Sequence, residues 1–217
     1  KPRWKGVETN KFWHNWELSL GGGISHLDLN TRGGELGKVG ANTGWNINGA
    51  ATKWFHPIVG ARAQVDLGEF MNMIDNDTKF HTPYAYIHAD AMLNLSNWIG
   101  GYREDRVYYA KLFSGFGVSI IDMNTTAATG FAWTGGLINT FRLCKALDLN
   151  LELKAILTPE RDMPVALPTG QGKYSQIYSA SLGLTYRFNK RDWSKAYSQE
   201  EVDGYLAAIA ALEAGLA

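Results

Sequence analysis

Polar and apolar residues alternate along most of this chain with a period of two, the signature of strands that bury one face. The alternation is cleanest between Tyr174 and Phe188. There Tyr178, Ala180, Leu182, Leu184, Tyr186 and Phe188 share one face, and Ser179, Ser181, Gly183, Thr185 and Arg187 share the other. Such a run is longer than a usual globular strand and long enough to cross a bilayer when tilted. In lipid its backbone groups have no water to bond to, so a spanning strand of this kind must sit in a closed barrel.

The same pattern predicts seven further strands. After a polar lead-in over 1–11, a first strand runs from Phe12 to Ile24, with Trp16, Leu18 and Leu20 opposite Glu17, Ser19 and Gly21. Strands are predicted from Gly44 to Lys53 and from Ile58 to Phe70, the latter with Arg62, Gln64 and Asp66 on its polar side. A loop around Asn72 to Pro83 leads to a fourth strand ending near Ser96, with His88, Asp90 and Met92 opposite Ile87, Ala89 and Ala91. The fifth, from Val107 to Ile121, carries Lys111; the sixth, from Ala127 to Leu143, carries Arg142 and has an unexplained Asn139 on its apolar side. The seventh, Leu147 to Leu157, sets five leucines and Ala155 against Asp148, Asn150, Glu152 and Lys154. Eight strands joined as consecutive hairpins, with short turns such as Lys53–Pro57 at one end and longer loops at the other, predict an all-β, eight-stranded antiparallel up-and-down transmembrane barrel. From Ser198 the period changes to that of a helix, with Val202, Leu206, Ile209 and Leu212 in one stripe and Ser198 as its cap. This helix lies outside the barrel.

Alternation alone does not say which face is inside, because a soluble ligand-carrying barrel alternates too. The glycines decide it. Gly21, Gly23, Gly60, Gly68, Gly115, Gly117, Gly136 and Gly183 share the face of the charged residues. A wet outer surface has no need of missing side chains, whereas a narrow interior holding Arg and Lys does. That face carries Arg62, Lys111, Arg142, Lys154 and Arg187 against Glu17, Asp66, Asp90, Asp148 and Glu152, an even balance that permits internal pairing. The expected lumen network comprises Glu17, Arg62, Asp66, His88, Asp90, Lys111, Arg142, Glu152, Lys154 and Arg187. Aromatic residues near strand ends, among them Trp13, Trp45, Trp54, Phe55, Trp98, Tyr102, Tyr108, Trp133, Tyr174 and Trp193, suit girdles at the two membrane interfaces.

Composition narrows the function. The 217 residues have 21 basic and 21 acidic side chains, which gives no electrostatic case for nucleic acid. Cys144 is alone, so no internal disulfide forms, and the five His lack metal-ligand spacing; no metal or cofactor is expected. His88 and Asp90 resemble a catalytic pair, but no Ser stands in a recognisable nucleophile motif, and Gly21-Gly22-Gly23 does not open a helix as a phosphate loop does. No catalytic residue is assigned. The chain starts at Lys1 without a signal peptide, which reads as a mature form after processing.

The runs His88–Asn97, Leu137–Leu143, Leu147–Lys154 and Gly183–Lys190 resemble the OmpA-like outer-membrane proteins, in the form whose barrel precedes a periplasmic peptidoglycan-binding domain. The resemblance covers roughly Phe12 to Trp193. It implies a periplasmic lead-in (1–11), an outer-membrane barrel (12–193) and a periplasmic linker helix (194–217), with both termini periplasmic. It also implies that the barrel is an anchoring element among outer-membrane lipid and lipopolysaccharide, supporting envelope integrity. Tyr186 and Phe188 look like the terminal signal read by the barrel-assembly machinery. Peptidoglycan tethering is implied only for a longer protein that carries the further domain. Competing readings are a subunit of a larger outer-membrane complex for assembly or transport, a small porin, an outer-membrane barrel enzyme, or a soluble ligand carrier.

Overall fold

The computed structural model describes residues 6–28, 43–73, 79–121, 127–159, 174–197 and 199–216. Eight strands follow one another: β1 (Trp16–Asp28), β2 (Thr43–Trp54), β3 (Val59–Met73), β4 (Lys79–Asn94), β5 (Tyr108–Ile121), β6 (Ala128–Arg142), β7 (Leu147–Pro159) and β8 (Tyr174–Phe188). Each pairs antiparallel with its sequence neighbour, and β1 pairs with β8 from Trp16↔Phe188 to Asp28↔Gln176, closing the barrel. Closure leaves no strand edge, which is the condition for placing a sheet in hydrocarbon. The strands are 12 to 16 residues long, more than a bilayer crossing needs.

Side chains sort by parity. Leu18, Leu20, Ile24, Ile47, Val65, Ile87, Phe116, Phe131, Leu153, Leu182 and Leu184 point outward and are exposed, while Arg62, Asp66, His88, Asp90, Lys111, Asp148, Glu152 and Lys154 point inward and are buried. In water such an outer surface would be an apolar patch far beyond what soluble monomers show. The arrangement therefore excludes a soluble ligand carrier with an apolar lumen and fits a lipid-facing wall. Asn139, the exception on the sixth strand, does face outward, and its Oδ1 accepts a 2.7 Å hydrogen bond from the Tyr108 hydroxyl. The amide is satisfied by a cross-strand neighbour near the short-turn end.

Several sequence boundaries shift. β1 begins at Trp16 rather than Phe12, because residues 12–15 turn under the barrel, with Asn15 at φ 59° and its amide donating to the Lys190 carbonyl. β4 starts at Lys79, so Pro83 lies inside it, opposite Glu69. The alternation of the fourth strand into Leu95 and Ser96 conceals a one-turn helix, α1 (Leu95–Gly100). Asn94 caps it by accepting from the Asn97 amide at 3.0 Å, and Gly101, at φ 70°, takes a left-handed conformation that glycine tolerates best. A second helix, α2 (Gln199–Leu216), follows the barrel; the Ser198 cap lies outside the described residues. Most of the predicted long loops also lie outside them.

Both described chain ends sit at the short-turn end, joined by the bridge Val7↔Lys195. Three of the aromatics expected at the interface are elsewhere. Trp54 and Trp193 are buried in a cluster with Met92, Phe113 and Ile138, and Tyr102 packs against it, so all three close the barrel mouth rather than face lipid.

The facing of the wall is open to test. Leu153 sits at the middle of β7 between Leu137 and Ala180. Leu153→Arg is expected to cost about 2–4 kcal/mol, the price of an Arg at the bilayer midplane, measured by urea unfolding of bilayer-inserted barrels. Ser181→Arg is expected to fail by overpacking, since Ser181 is buried and its Oγ donates to Asn46. Wild-type stability of the Leu153 variant would reverse the assignment of faces.

Candidate functional site: the layered lumen

The interior is built in three layers. At mid-depth, β3, β4 and β7 bring together Arg62, Asp66, His88, Asp90, Glu152 and Lys154. The Arg62 guanidinium reaches Asp90 at 2.8 Å and Glu152 at 2.6 Å. Lys154 Nζ reaches Asp66 at 2.5 Å and Glu152 at 3.2 Å. His88 lies between two carboxylates, with Nδ1 2.8 Å from Asp90 and Nε2 3.0 Å from Asp66. Gln64 closes the ring by donating to Asp66 and Glu152 at 3.0 and 3.1 Å. Two basic side chains, Arg62 and Lys154, face three carboxylates in this layer, and each ring nitrogen of His88 lies within hydrogen-bond distance of one of them. The Arg62 guanidinium also lies 4.1 Å from the centroid of the Phe113 ring.

Register explains how so many side chains fit. His88 pairs with Gly117, and Asp90 with Gly115. A Cβ at Gly117 would stand 2.5 Å from the His88 Cβ, and one at Gly115 would stand 2.4 Å from the Asp90 carboxylate. The Gly-Phe-Gly of the fifth strand is therefore the complement of His-Ala-Asp on the fourth.

Nearer the short-turn end lies a second charged layer. Asp148 is its hub, 3.1 Å from Arg187 Nε and 3.8 Å from Arg142 Nε, and Lys111 reaches Glu17 at 3.6 Å. The ten expected residues thus do not form one network: six gather at mid-depth and Glu17, Lys111, Arg142 and Arg187 gather below. Asp148 belongs with the latter, a role that its parity opposite Arg142 signals. The Arg142 guanidinium also donates to the Glu104 carbonyl at 2.5 Å, and Arg187 to the Cys144 carbonyl at 3.2 Å. Under this layer the mouth is closed by Trp193, whose amide donates to the Tyr102 hydroxyl at 3.2 Å; burial pushes the Tyr102 phenol up to about 12.

The third layer has no counterpart in the sequence reading. Toward the long-loop end the inner face turns apolar, and Leu27, Phe70, Tyr84, Tyr86, Ile121, Ala132, Ile156 and Ile177 form one buried cluster. Phe70 and Tyr84 stack at 4.4 Å, and Tyr86 stacks on His88 at 4.6 Å, tying this ceiling to the charged layer. The phenols are satisfied within it, Tyr84 with Ser25 at 2.7 Å and Tyr86 with the Ala132 carbonyl at 3.1 Å.

Three of the histidines have partners of structural type. His26 Nδ1 is 3.1 Å from the Thr43 hydroxyl, His81 Nδ1 is 2.7 Å from Glu69, and His88 is held by Asp66 and Asp90. None of these contacts is to a serine hydroxyl. Tyr186 faces outward, and Phe188, opposite Trp16, ends the closing ladder.

No family model matches the chain. It is 28% identical over 156 residues to Outer membrane protein 40 of Porphyromonas gingivalis, which covers 66% of this chain and 39% of that protein. Outer membrane protein 41 of the same organism is 23% identical over 154 residues, 67% of this chain and 38% of that protein. The chain therefore spans about two-fifths of the length of these relatives. Among solved structures, Neisserial surface protein A matches with a TM-score of 0.54 at 10% identity, over 80% of this chain and 97% of that one. OprG of Pseudomonas aeruginosa matches with a TM-score of 0.50 at 10% identity, over 81% of this chain and 97% of that one. The chain has the eight-stranded barrel fold of these solved structures, and the proteins it resembles in sequence are Porphyromonas outer-membrane proteins.

The mid-depth layer generates a stability prediction. Arg62→Ala leaves Asp90 and Glu152 buried without their shared cation and is expected to cost about 3–5 kcal/mol. Arg187→Ala, nearer the mouth, is expected to cost less. Urea unfolding of both variants, with an Arg62/Glu152 double-mutant cycle, checks the order; equal small losses at both sites would contradict it.

Proposed function

We propose that this barrel is the non-conducting membrane anchor of a longer envelope protein, with its short-turn end and both termini in the periplasm. The observation that supports the reading is a lumen crossed by two ion-paired layers beneath an apolar cluster. An eight-stranded barrel has room for side chains and little else. A closed interior suits holding a chain in the outer membrane better than moving solutes through it. The likeness to relatives more than twice the matched length supports a barrel that is one part of a larger protein.

On this reading, a peptidoglycan-binding domain beyond the barrel ties the outer membrane to the cell wall and maintains envelope integrity. The wall packs against outer-membrane lipid and lipopolysaccharide, and Tyr186 and Phe188 at the end of β8 present the signal that the assembly machinery recognises. The histidine contacts, held by carboxylates or threonine, support a barrel without enzymatic activity.

Planar-bilayer recording of the unmodified barrel is expected to show no large steady conductance. Because the apolar cluster makes no contact through Arg62 itself, Arg62→Ala alone is expected to stay closed, whereas adding Phe70→Ala and Tyr84→Ala is expected to produce openings. A wide, continuously open channel in the unmodified barrel would move the reading to a porin. For orientation, protease added to intact cells is expected to cut within 29–42 or 161–172 and to spare the turn at Phe55 to Pro57; cleavage at that turn would invert the topology.

A further inference from the structure

Between the lower charged layer and the Trp193 floor lies a cavity of about 60 Å³. The strands contribute five charged side chains to its wall, Lys111, Arg142 and Arg187 against Glu17 and Asp148. Three basic groups facing two carboxylates leave one positive charge without a counter-charge. Lys111 is 6% exposed, Arg187 7% and Asp148 2%, so bulk water screens that charge poorly. A buried charge that lacks a partner destabilises a fold strongly.

The hydrogen bonds locate the unpaired charge. The Lys111 ammonium, with three donors, makes no hydrogen bond to a described residue: Glu17 is 3.6 Å away, and the Trp54 ring lies 5.3 Å from Nζ. The Nε donors of Arg142 and Arg187 are buried and find no acceptor although Asp148 stands beside both, and Asp148 Oδ1 finds no donor. The outer ends of the two guanidiniums bond to the Glu104 and Cys144 carbonyls, which accept hydrogen bonds but carry no net charge. Arg191 and Asp192, at the rim of the cavity, add one charge of each sign and leave the imbalance as it was. The carboxylates of the mid-depth layer do not relieve it, because they are already engaged by Arg62, Lys154, His88 and Gln64.

Size and charge together select an occupant. One water takes about 30 Å³ in the liquid, so the cavity has room for two bodies of that size. Water alone would satisfy the donors and leave the charge. A halide-sized anion does both, since it accepts several hydrogen bonds at once, and the remaining space takes one water to donate to Asp148 Oδ1. A larger oxyanion would press its oxygens against Glu17 and Asp148.

We propose that the floor of the lumen is a binding site for a monovalent anion of halide size, held by Lys111 Nζ and the Nε–H groups of Arg142 and Arg187. The anion is the counter-charge that lets three cations share this space with two carboxylates. The layer above, with two basic groups to three carboxylates, repels an anion, so the site is confined to the floor.

Urea unfolding of the full chain in bilayers, at fixed ionic strength with chloride exchanged for gluconate, tests the site. Gluconate is too large for the cavity. The unfolding constant of the unmodified chain is expected to fall about tenfold for each tenfold rise in chloride once the site's affinity is passed, as one-site linkage requires. Lys111→Met makes the floor neutral and is expected to abolish that dependence, whereas Glu17→Gln leaves two positive charges over and is expected to move it to lower chloride. A purely structural loss in these variants shifts the unfolding constant and leaves its chloride dependence in place, and that outcome overturns the site. Crystals of the unmodified chain grown with bromide decide the matter independently of whether the variants fold: an anomalous peak in contact with Lys111 Nζ is expected, and its absence overturns the site. Sulfate that stabilises as well as chloride does, or a bromide peak without any chloride dependence, which would mark an adventitious ion only, overturns it too.

Discussion

A β-strand in hydrocarbon has no solvent for its backbone, and the pairing of β1 with β8 is the constraint from which the rest of this structure follows. Thirteen consecutive pairs from Trp16↔Phe188 to Asp28↔Gln176 remove the only two edges that a meander of eight strands would leave. Closure at eight strands then fixes an interior about as wide as facing side chains. Everything placed inside must fit that width, and everything charged inside must find its counter-charge there.

The barrel answers the two requirements together. Large charged side chains stand opposite glycine, as His88 does Gly117 and Asp90 does Gly115. The two cations of the mid-depth layer are each shared between carboxylates, Arg62 by Asp90 and Glu152, and Lys154 by Asp66 and Glu152. The apolar ceiling is the simpler solution to the same problem, since Leu27, Phe70, Ile156 and Ile177 need no partner but contact. Stacking of Tyr86 on His88 joins the two solutions. The short-turn end is finished by chain outside the sheet: α1 is held through Asn97 to the Pro57 carbonyl at 2.8 Å and by Arg106 to Asn97 at 2.9 Å, and Trp193 closes the mouth.

Function on this frame is a matter of what the barrel does not permit. On the anchoring reading proposed above, a lumen crossed by three packed layers leaves the outer wall and the appended helix as surfaces for interaction. The helix contributes little to the barrel's own packing and leaves Leu206, Ile209 and Leu212 exposed.

The alternation of side chains was sufficient to determine the number of strands, their order, the hairpin topology and the face on which Arg62, Asp66, His88, Asp90 and Glu152 lie, because a pleated strand has a period of two regardless of its neighbours. Glycine on the polar face was enough to turn that face inward. The sequence did not determine depth. Parity places Glu17 and Glu152 on the same inner face, but only the shear of the closed sheet puts the first beside Lys111 and the second beside Arg62 and Lys154. The same limit hid the apolar ceiling, whose residues share parity with the charged ones and differ from them only in height, and it hid α1, where Leu95 continues the alternation until Asn94 caps a turn. Trp54, Tyr102 and Trp193 read as interfacial and prove to be the floor of the lumen, since a residue near a strand end faces lipid or the mouth according to how the chain turns after it. Period is a local property of the backbone, whereas height in a barrel is set by the register of all eight strands at once.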